Sequence, residues 1–364
     1  MTFEMPSVLR IDARPVLIPF RRSVQTASFV IPEVPLVLID LHTDDGIVGR
    51  AYVLAFAQWV FKPLIACIEA ASEMISGQVL APINVAALLR ERMLLVGNTG
   101  ITGIAIGGID MALWDAVART HNLPLVSLLG GKARQLPTYN SCGLWLKSIE
   151  SLADEASALL EEGGFNAVKI RLGRSSALDD LTAVRVVRER IGIDCALMAD
   201  FNQSLRTGEA IERGRMLDKE GLTWIEDPIA HDNYEGHAKI RSSLTTPIQT
   251  GENFYEARKL KRAIEMGALD FVMPDAALIG GVTGWMQAAA IADAYDIPMS
   301  SHLYPEFSRH LLAVTPSAHW LEYVDWAAPI LQDPVRVMDG RVIATNTPGA
   351  GLEWDEGSIS RFLA

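Results

Sequence analysis

Apolar runs of five or six residues alternate with longer amphipathic stretches from about residue 137 onward, and the pattern repeats roughly every 25 to 30 residues. The runs that predict strands are PTYNS (137–141), AVKIR (167–171), CALMAD (195–200), TWIED (223–227), PIQTGE (247–252), DFVMPD (270–275), PMSSH (298–302) and AHWLE (318–322). Stretches such as SIESLADEASALLEEG predict the helices between them. Eight such units predict an α/β fold with a (β/α)8 barrel of TIM type, and an open doubly wound sheet is the alternative.

The first 135 residues follow another pattern. SVLRIDARPVLIP and PLVLIDLHTDDGIVGRAYV predict antiparallel strands joined by a DDG turn, and helices follow around 58–77, 82–95 and 103–120. We therefore expect an N-terminal α+β domain over 1–135, the barrel over 136–330 and a C-terminal segment over 331–364. VRVMDGRVI predicts a hairpin in that segment, which we expect to return to the N-terminal domain.

Composition narrows the class of protein. Of 364 residues, 49% are hydrophobic and 21% charged, which is ordinary for a soluble globular enzyme. The net charge of −12 without a basic block disfavours nucleic acid and anionic membranes as partners. No signal peptide and no run of about 18 apolar residues is seen, so we predict a cytoplasmic protein. The three cysteines fit neither a disulfide framework nor a zinc site.

Carboxylates end three successive predicted strands. Asp200, Glu226 and Glu252 are about 26 residues apart each time, and neighbouring barrel strands would place them side by side. A single one would ordinarily be a helix cap or a salt-bridge partner, but three in phase argue against that explanation. Hard oxygen ligands with room for water and substrate suit Mg²⁺, which we predict as the cofactor.

The next two strands end in Asp275 and His302. A carboxylate beside an imidazole fixes the tautomer of the ring and raises its basicity, so this pair predicts a general acid or base. A histidine without such a partner would more often be a structural residue, and we assign that role to the other six histidines.

Further polar residues fall at strand ends. Glu322 ends the eighth strand and could donate a hydrogen bond to a substrate carboxylate if protonated. Asn202 could contact a substrate hydroxyl, although an Asx turn explains it equally well. Ser141 is a candidate carboxylate-binding hydroxyl. Lys169 and Arg171 share one face of the second strand, so they would either neutralise the acidic ligands or act on the substrate from the side opposite His302.

These residues, in this order, resemble the enolase superfamily and specifically its mandelate racemase subgroup. The similarity extends along the chain through PLVLIDLHTDDGIVG, GIDMALWDAVART, TWIEDP, GGVTGW, IPMSSHL and TPSAHWLE. It implies that Asp200, Glu226 and Glu252 bind Mg²⁺, that His302 with Asp275 is one base, and that Glu322 is the electrophilic hydrogen-bond donor. A relative of muconate cycloisomerase type would carry a lysine where this chain has Asp275.

The resemblance also implies a reaction. The enzyme removes the α-proton of a 2-hydroxycarboxylate, and Mg²⁺ with Lys169 stabilises the resulting enediolate. It further implies that the N-terminal domain covers the barrel mouth and that the protein is a symmetric homo-oligomer, an octamer or a dimer.

Arg171 departs from the family pattern. The racemase has a lysine there as its second base, and deprotonating arginine at neutral pH costs roughly 7 to 9 kcal/mol against about 4.6 for lysine. One-base chemistry, such as dehydration of a sugar acid with His302 alone, is therefore the alternative to racemisation or epimerisation.

The N-terminal domain favours the racemase instead. Its expected pocket-facing residues are mostly apolar, namely Val24, Phe29, Val30, Ile31 and Phe56, with Arg21, Arg22, Gln25 and Thr26 interspersed. They fit an apolar or aryl 2-hydroxy acid better than a polyol. Our main prediction is therefore a racemase or epimerase, with the dehydratase as the alternative and a non-catalytic binder of metal or carboxylate as a distant third.

Overall fold

The computed structural model describes residues 5–364. The N-terminal domain is a three-stranded antiparallel sheet of β1 (Val8–Gln25), β2 (Val30–Thr43) and β3 (Val48–Leu54). Helices α1 (Phe61–Ile75), α2 (Pro82–Arg92) and α3 (Ile101–Thr120) follow it. The predicted DDG turn joins β2 to β3, where Gly46 has a φ of 87° that favours glycine and Thr43 N–H donates to Ile47 O at 3.0 Å.

The second domain contains a curled parallel sheet. Its strands are β4 (Gln135–Asn140), β5 (Ala167–Arg171), β6 (Ala196–Asp200), β7 (Ile225–Glu226), β8 (Ile248–Thr250), β9 (Phe271–Val272) and β10 (Leu321–Tyr323). The order in the sheet is β10-β4-β5-β6-β7-β8-β9. The pairing of the last strand with the first distinguishes this sheet from the open doubly wound alternative, and the prediction of a parallel α/β sheet behind an antiparallel domain is confirmed.

Helices separate the parallel strands as the amphipathic pattern predicts. They are α5 (Leu152–Glu161), α6 (Ala177–Ile191), α7 (Thr207–Leu217), α8 (Tyr234–Ser243), α9 (Ala257–Glu265), α10 (Gly281–Ala294) and α11 (Pro305–Val314), and the short α4 (Leu125–Leu128) precedes β4. Their apolar faces pack on the outward residues of the sheet, where Val168, Ile170, Leu197 and Ile225 belong to one buried cluster.

Residues 298–302, predicted as the seventh strand, join the two ends of this sheet without forming a regular strand. Ser300 N–H donates to Val272 O at 2.8 Å, and Ser301 N–H donates to Trp320 O at 3.0 Å. Met299 forms parallel bridges with both Val272 and Ala318. This segment therefore lies between β9 and the residues that precede β10, with His302 at its end.

The C-terminal segment divides between the two domains. β11 (Arg341–Ile343), the second half of the expected hairpin, pairs antiparallel with β4 and not with the N-terminal domain. The residues that follow do reach that domain, since Trp354 Nε1–H donates to Asp40 Oδ1 at 2.7 Å. The last helix, α12 (Glu356–Phe362), contacts it as well, because Arg14 pairs with Glu356 at 2.7 Å.

Helix α3 holds the two domains together. By length and composition it could span a membrane, but 83% of its most apolar window is buried in the fold, which is typical of a core helix. Its Gly107 packs so closely on the loop after β9 that an added Cβ would lie 1.8 Å from Ala277 O. Asp110 accepts hydrogen bonds from Thr283 N–H at 2.9 Å and from Thr283 Oγ1–H at 2.6 Å, in the first turn of α10.

Candidate active site

Lys169 and Arg171 point to the inside of the curled sheet, because successive residues of β5 face opposite sides and Val168 and Ile170 face the helices. Lys169 is 1% exposed and Arg171 is 4% exposed. The strands pair so that Arg171 is beside Asp200 of β6, and Asp200 is beside Glu226 of β7. The alternation along AVKIR therefore explains why two cations lie next to the predicted acidic ligands.

Three carboxylates surround the Lys169 ammonium. Glu226 contacts it most closely, Glu322 Oε1 lies 2.8 Å away, and Asp200 Oδ2 lies 3.6 Å away. Burial lowers the pKa of Lys169, but Glu226, Glu322 and Asp200 outweigh burial and raise it above the usual range. Lys169 is therefore a permanent cation in this arrangement.

His302 and Asp275 form the expected pair. His302 Nδ1–H donates to Asp275 Oδ2 at 2.9 Å, and Asp275 Oδ1 accepts from the N–H groups of Ala277 and Leu278 at 2.8 and 3.0 Å. This fixes the tautomer and leaves Nε2 facing Glu252 Oε2 at 3.3 Å. Burial lowers the pKa of His302, but Glu252 and Asp275 outweigh it and raise the pKa to about 10.

Glu322, the expected proton donor, accepts two hydrogen bonds in this structure. Its Oε1 accepts from Ser141 Oγ–H at 2.7 Å and its Oε2 accepts from Leu303 N–H at 2.9 Å. Burial raises its pKa, but Lys169, His302 and Arg171 outweigh burial and hold the pKa well below the usual range. In this structure Glu322 accepts from Ser141 and Leu303 and lies beside Lys169, and the donor role implied by the resemblance stays a prediction.

Arg171 is held in place on all sides. Its guanidinium carbon lies 3.9 Å from the ring centroid of Trp145. One terminal nitrogen donates to the carbonyls of Ser141 and Gly143 at 3.2 and 3.3 Å, and the other donates to Ser141 Oγ at 2.8 Å. Because every contact favours the cation, Arg171 cannot serve as a base near neutral pH. Ser141, expected to bind a substrate carboxylate, is already paired with Arg171 and Glu322.

The site has more carboxylates than cations. Within residues 5–364, no three acidic or imidazole side chains surround one position that could hold a metal ion. The reason is that the Lys169 ammonium lies between Asp200 and Glu226, and that Glu252 faces His302. Beside them is Asp227, fully buried, with both carboxylate oxygens lacking a hydrogen-bond partner among the described residues. Burial and the neighbouring Glu252 raise the pKa of Asp227. A divalent cation fits this excess of hard, negatively charged oxygen.

Asp227 was missed as a candidate although TWIEDP places it directly after Glu226. The sequence signal was the pair of adjacent carboxylates at one strand end, which strict alternation assigns to opposite faces. Asp227 has a φ of 36°, so the chain leaves regular strand geometry there and alternation no longer holds. Its side chain consequently stays within the buried charge cluster.

From the N-terminal domain, the expected residues Val24, Ile31 and Phe56 line the cavity together with the charged residues. Phe29 and Thr26 line it too, whereas Val30, Arg21, Arg22 and Gln25 do not. Sequence reasoning missed the other lining residues, which are Leu54, Trp145, Leu303, Val324 and Trp326. Ser28 Oγ–H donates to Asn202 O at 2.8 Å, which ties the loop between β1 and β2 to the parallel sheet.

Several residues around this cavity have strained backbones. Phe56, Leu144, Asn202 and Leu303 have φ values of 62°, 54°, 45° and 51°, in the left-handed region that costs a non-glycine residue about 1 kcal/mol or more. Such strain clusters at functional sites because the surrounding structure must enforce it.

Models of two known domains match most of the chain. The mandelate racemase/muconate lactonizing enzyme N-terminal domain matches residues 7–130, and the enolase C-terminal domain-like model matches residues 151–358. The chain belongs to the mandelate racemase/muconate lactonizing enzyme family. The predicted family is confirmed, and so is the prediction of an enzyme of the isomerase or lyase type, because the curated relatives in this family are dehydratases and cycloisomerases.

Two curated relatives illustrate this. L-talarate/galactarate dehydratase of Salmonella typhimurium is 33% identical over 261 residues, a match that spans 72% of this chain and 66% of that enzyme. The 3,6-anhydro-α-L-galactonate cycloisomerase of Streptomyces coelicolor is 29% identical over 97% of this chain and 98% of its own.

Two solved structures in the family are more similar. An enolase of alpha proteobacterium bal199 with bound Mg is 45% identical, with a TM-score of 0.97 over 99% of this chain and 100% of its own. An enolase of Bradyrhizobium in complex with magnesium and mandelic acid is 40% identical, with a TM-score of 0.95 over the whole of both chains.

Proposed function

We propose that this family member is a Mg²⁺-dependent hydro-lyase, which removes the α-proton of a 2-hydroxycarboxylate and expels the hydroxyl on the next carbon, with His302 as the sole acid and base. The observation that carries the proposal is the guanidinium of Arg171, stacked on Trp145 and bonded to Ser141 and Gly143. It leaves His302, whose Nδ1 is held by Asp275, as the side chain placed to act as acid and base. The dehydratases among the relatives support this alternative over our main prediction of a racemase.

We infer that the seven parallel strands and residues 298–302 together form a complete (β/α)8 barrel over about 136–330. The N-terminal domain over 1–135 would then cover the end of the barrel where the strands terminate. Support comes from the pairing of β10 with β4 and from the bridges of Met299 to both neighbours. In such barrels the carboxyl ends of the strands carry the active site, which is where Asp200, Glu226 and His302 lie.

We infer that Asp200, Glu226 and Glu252 hold Mg²⁺, in agreement with the Mg bound in the neighbouring structures. When bound there, the ion supplies positive charge that acidifies the α-proton and stabilises an enediolate. Surplus buried carboxylate at Asp227 supports this assignment. Lys169, which is permanently charged, adds a second cation beside the substrate carboxylate and needs no proton transfer to do so.

His302 performs both proton transfers. Its Nε2 takes the proton from C2, and the C–H electron pair is delocalised into the carboxylate as an enediolate. When the enediolate collapses, that pair forms the C2=C3 double bond as the C3–O bond breaks. The same Nε2 returns its proton to the departing hydroxyl, so that water leaves. The product enol then tautomerises to a 2-oxo acid. Asp275 keeps Nδ1 protonated throughout, which leaves Nε2 as the atom that receives and gives the proton. Glu252 is the main group that raises the pKa of His302, and a cation held at Glu252 would counter its charge, which favours the neutral imidazole that a base requires.

Racemisation or epimerisation remains the second candidate. It is favoured by the apolar cavity and by the Bradyrhizobium structure that holds mandelic acid. Mandelate has no hydroxyl on the next carbon, so it cannot be dehydrated in this way.

The experiment that separates the two candidates follows products by NMR. The protein with Mg²⁺ is incubated in D₂O with a panel of 2-hydroxy acids, both with and without a 3-hydroxyl. Formation of a 2-oxo acid and water from a 3-hydroxylated acid supports dehydration. Deuterium at C2 in both configurations without a 2-oxo acid supports a racemase, and loss of neither proton nor hydroxyl from any acid contradicts both.

A further inference from the structure

Resting on this proposed function, we infer that the substrate is a 2,3-dihydroxycarboxylate whose C3 carries an apolar group of aryl size, and not a polyhydroxylated sugar acid. The charged side chains that line one part of the cavity, called here its floor, suit the carboxylate of a substrate and the two carbons nearest to it. The part of the cavity above that floor has the chemistry of a hydrocarbon site.

The upper cavity is built from hydrocarbon and aromatic side chains, which are Val24, Phe29, Ile31, Leu54, Phe56, Trp145, Leu303, Val324 and Trp326. They come from the N-terminal domain and from the segments after strands of the parallel sheet. Apolar surface of this kind stabilises an aryl group by burying it, and the one buried polar side-chain atom on it without a partner among the described residues is Trp145 Nε1, a single donor.

Two polar residues also line the upper cavity, and both are largely occupied. Thr26 Oγ1 donates to Phe29 O at 3.3 Å and accepts from the N–H groups of Ser28 and Phe29 at 3.2 and 3.1 Å. Asn202 Nδ2 donates to Asp200 Oδ2 at 2.9 Å. A sugar acid would bury three or four hydroxyls here without partners, and each unpaired hydroxyl weakens binding by roughly tenfold to a hundredfold.

Besides Trp145 Nε1, one unpaired acceptor and one unpaired donor lie beside Asp200. Because Asp200 accepts from Nδ2 of Asn202, the amide oxygen Oδ1 points away, and this buried atom has no partner. Nε of Arg171 is likewise buried without a hydrogen-bond partner, and its nearest carboxylate oxygen, on Asp200, is 3.8 Å away. These two atoms match two substrate hydroxyls, so Asn202 and Arg171 would set the preference for a 2,3-diol.

The reaction of such a substrate balances without any further reactant. His302 removes the C2 proton, the C3–O bond breaks, C2=C3 forms, and the proton passes to the hydroxyl as it leaves. The products are water and a 2-oxo acid that retains the aryl group on C3, and no oxidant or reductant is needed.

The test compares 3-phenyl-2,3-dihydroxypropanoate with D-gluconate and galactarate, each with the wild-type protein and Mg²⁺. We expect kcat/KM for formation of the 2-oxo acid to be at least about 100-fold higher for the phenyl compound. A higher value for either sugar acid overturns the inference and leaves the proposed dehydration intact. If none of the three forms a 2-oxo acid, the inference and the proposed dehydration both fail.

Binding provides a readout that does not depend on turnover. Calorimetry of the His302→Asn variant with Mg²⁺ should show the phenyl compound binding at least about tenfold more tightly than gluconate. Phe56→Ser in that background should remove most of this difference, whereas Trp59→Ser, on the same segment but outside the cavity and 75% exposed, should not change it. Equal affinities in the His302→Asn variant overturn the inference even if Phe56→Ser fails to fold.

Discussion

The guanidinium of Arg171 stacks on Trp145 at 3.9 Å from the ring centroid. Two residues earlier on the same strand, Lys169 faces three carboxylates. Its ammonium is farther from an aromatic ring than the Arg171 guanidinium is, because the Tyr139 ring centroid lies 5.6 Å away. The two cations of AVKIR therefore have different surroundings. Lys169 belongs to the charge cluster that we propose receives the substrate carboxylate, while Arg171 is fixed as a cation at the wall of the cavity.

Arg171→Lys is predicted to change the stereochemistry of proton exchange. The shorter side chain loses the hydrogen bonds to Ser141 and Gly143. Because burial disfavours the charged form of lysine, it can lower the pKa of the new side chain far enough for that side chain to act as a base. We expect the rate of dehydration to fall by at least about tenfold and deuterium to enter at C2 from a second face. Trp145→Phe, which keeps an aromatic face under Arg171, is the matched control and should exchange on one face only.

Asp275→Asn is predicted to lower kcat by on the order of 10²–10⁴, because general acid–base catalysis contributes about that much and the ring tautomer is no longer fixed. The amide oxygen of asparagine can still accept from Ala277 and Leu278, so the melting temperature should change little. A loss of activity that merely parallels a loss of folded protein would show that Asp275 is only structural.

Asp227→Asn is predicted to stabilise the metal-free protein. The variant removes a buried carboxyl group that is costly to ionise and has no hydrogen-bond partner among residues 5–364, so its melting temperature in a chelator should rise. The rise in melting temperature on adding Mg²⁺ should be smaller than in wild type, because the variant site has less negative charge to attract the ion. Asp218→Asn, at a carboxylate that caps Thr245 and Thr246 elsewhere on the surface, is the control and should not alter the response to Mg²⁺.

Asp110 should make stability depend on pH. Burial raises its pKa to about 7, while Thr283 partly offsets the effect. A carboxyl whose pKa is raised by folding favours the folded state at low pH, and that contribution is lost as pH rises from about 4 through about 7. Asp110→Asn should therefore flatten the stability profile over this range, measured by melting temperature against pH. An unchanged profile would show that Asp110 does not titrate there.

Much of the fold follows from periodicity alone. AVKIR coincides with β5, and Asp200 and Glu226 lie side by side because they end neighbouring strands of one sheet. Periodicity predicted the seventh strand and the C-terminal segment less accurately. PMSSH is joined to its neighbours by isolated bridges and not by a regular ladder. Arg341–Ile343 of VRVMDGRVI pairs with the first half of β4, a partner distant in sequence that local sequence cannot identify.

The site was less predictable than the fold where backbone conformation decides direction. Alternation could not place Asp227, whose φ is positive, and no local pattern indicates that Trp145 stacks on Arg171 from a loop after β4. The protonation state of Glu322 depends on Lys169, His302 and Arg171, which are far apart in the sequence. Homo-oligomerisation and a cytoplasmic location stay predictions.

The central claim is that His302 is the only base. It is tested most directly by the stereochemistry of deuterium entry at C2, compared between the wild-type protein and His302→Asn with Mg²⁺ present. We predict that the wild type exchanges or eliminates from one face only, and that His302→Asn does neither while its Mg²⁺ binding is nearly unchanged. Deuterium entering both configurations in wild type, or exchange that persists in His302→Asn, would contradict the account.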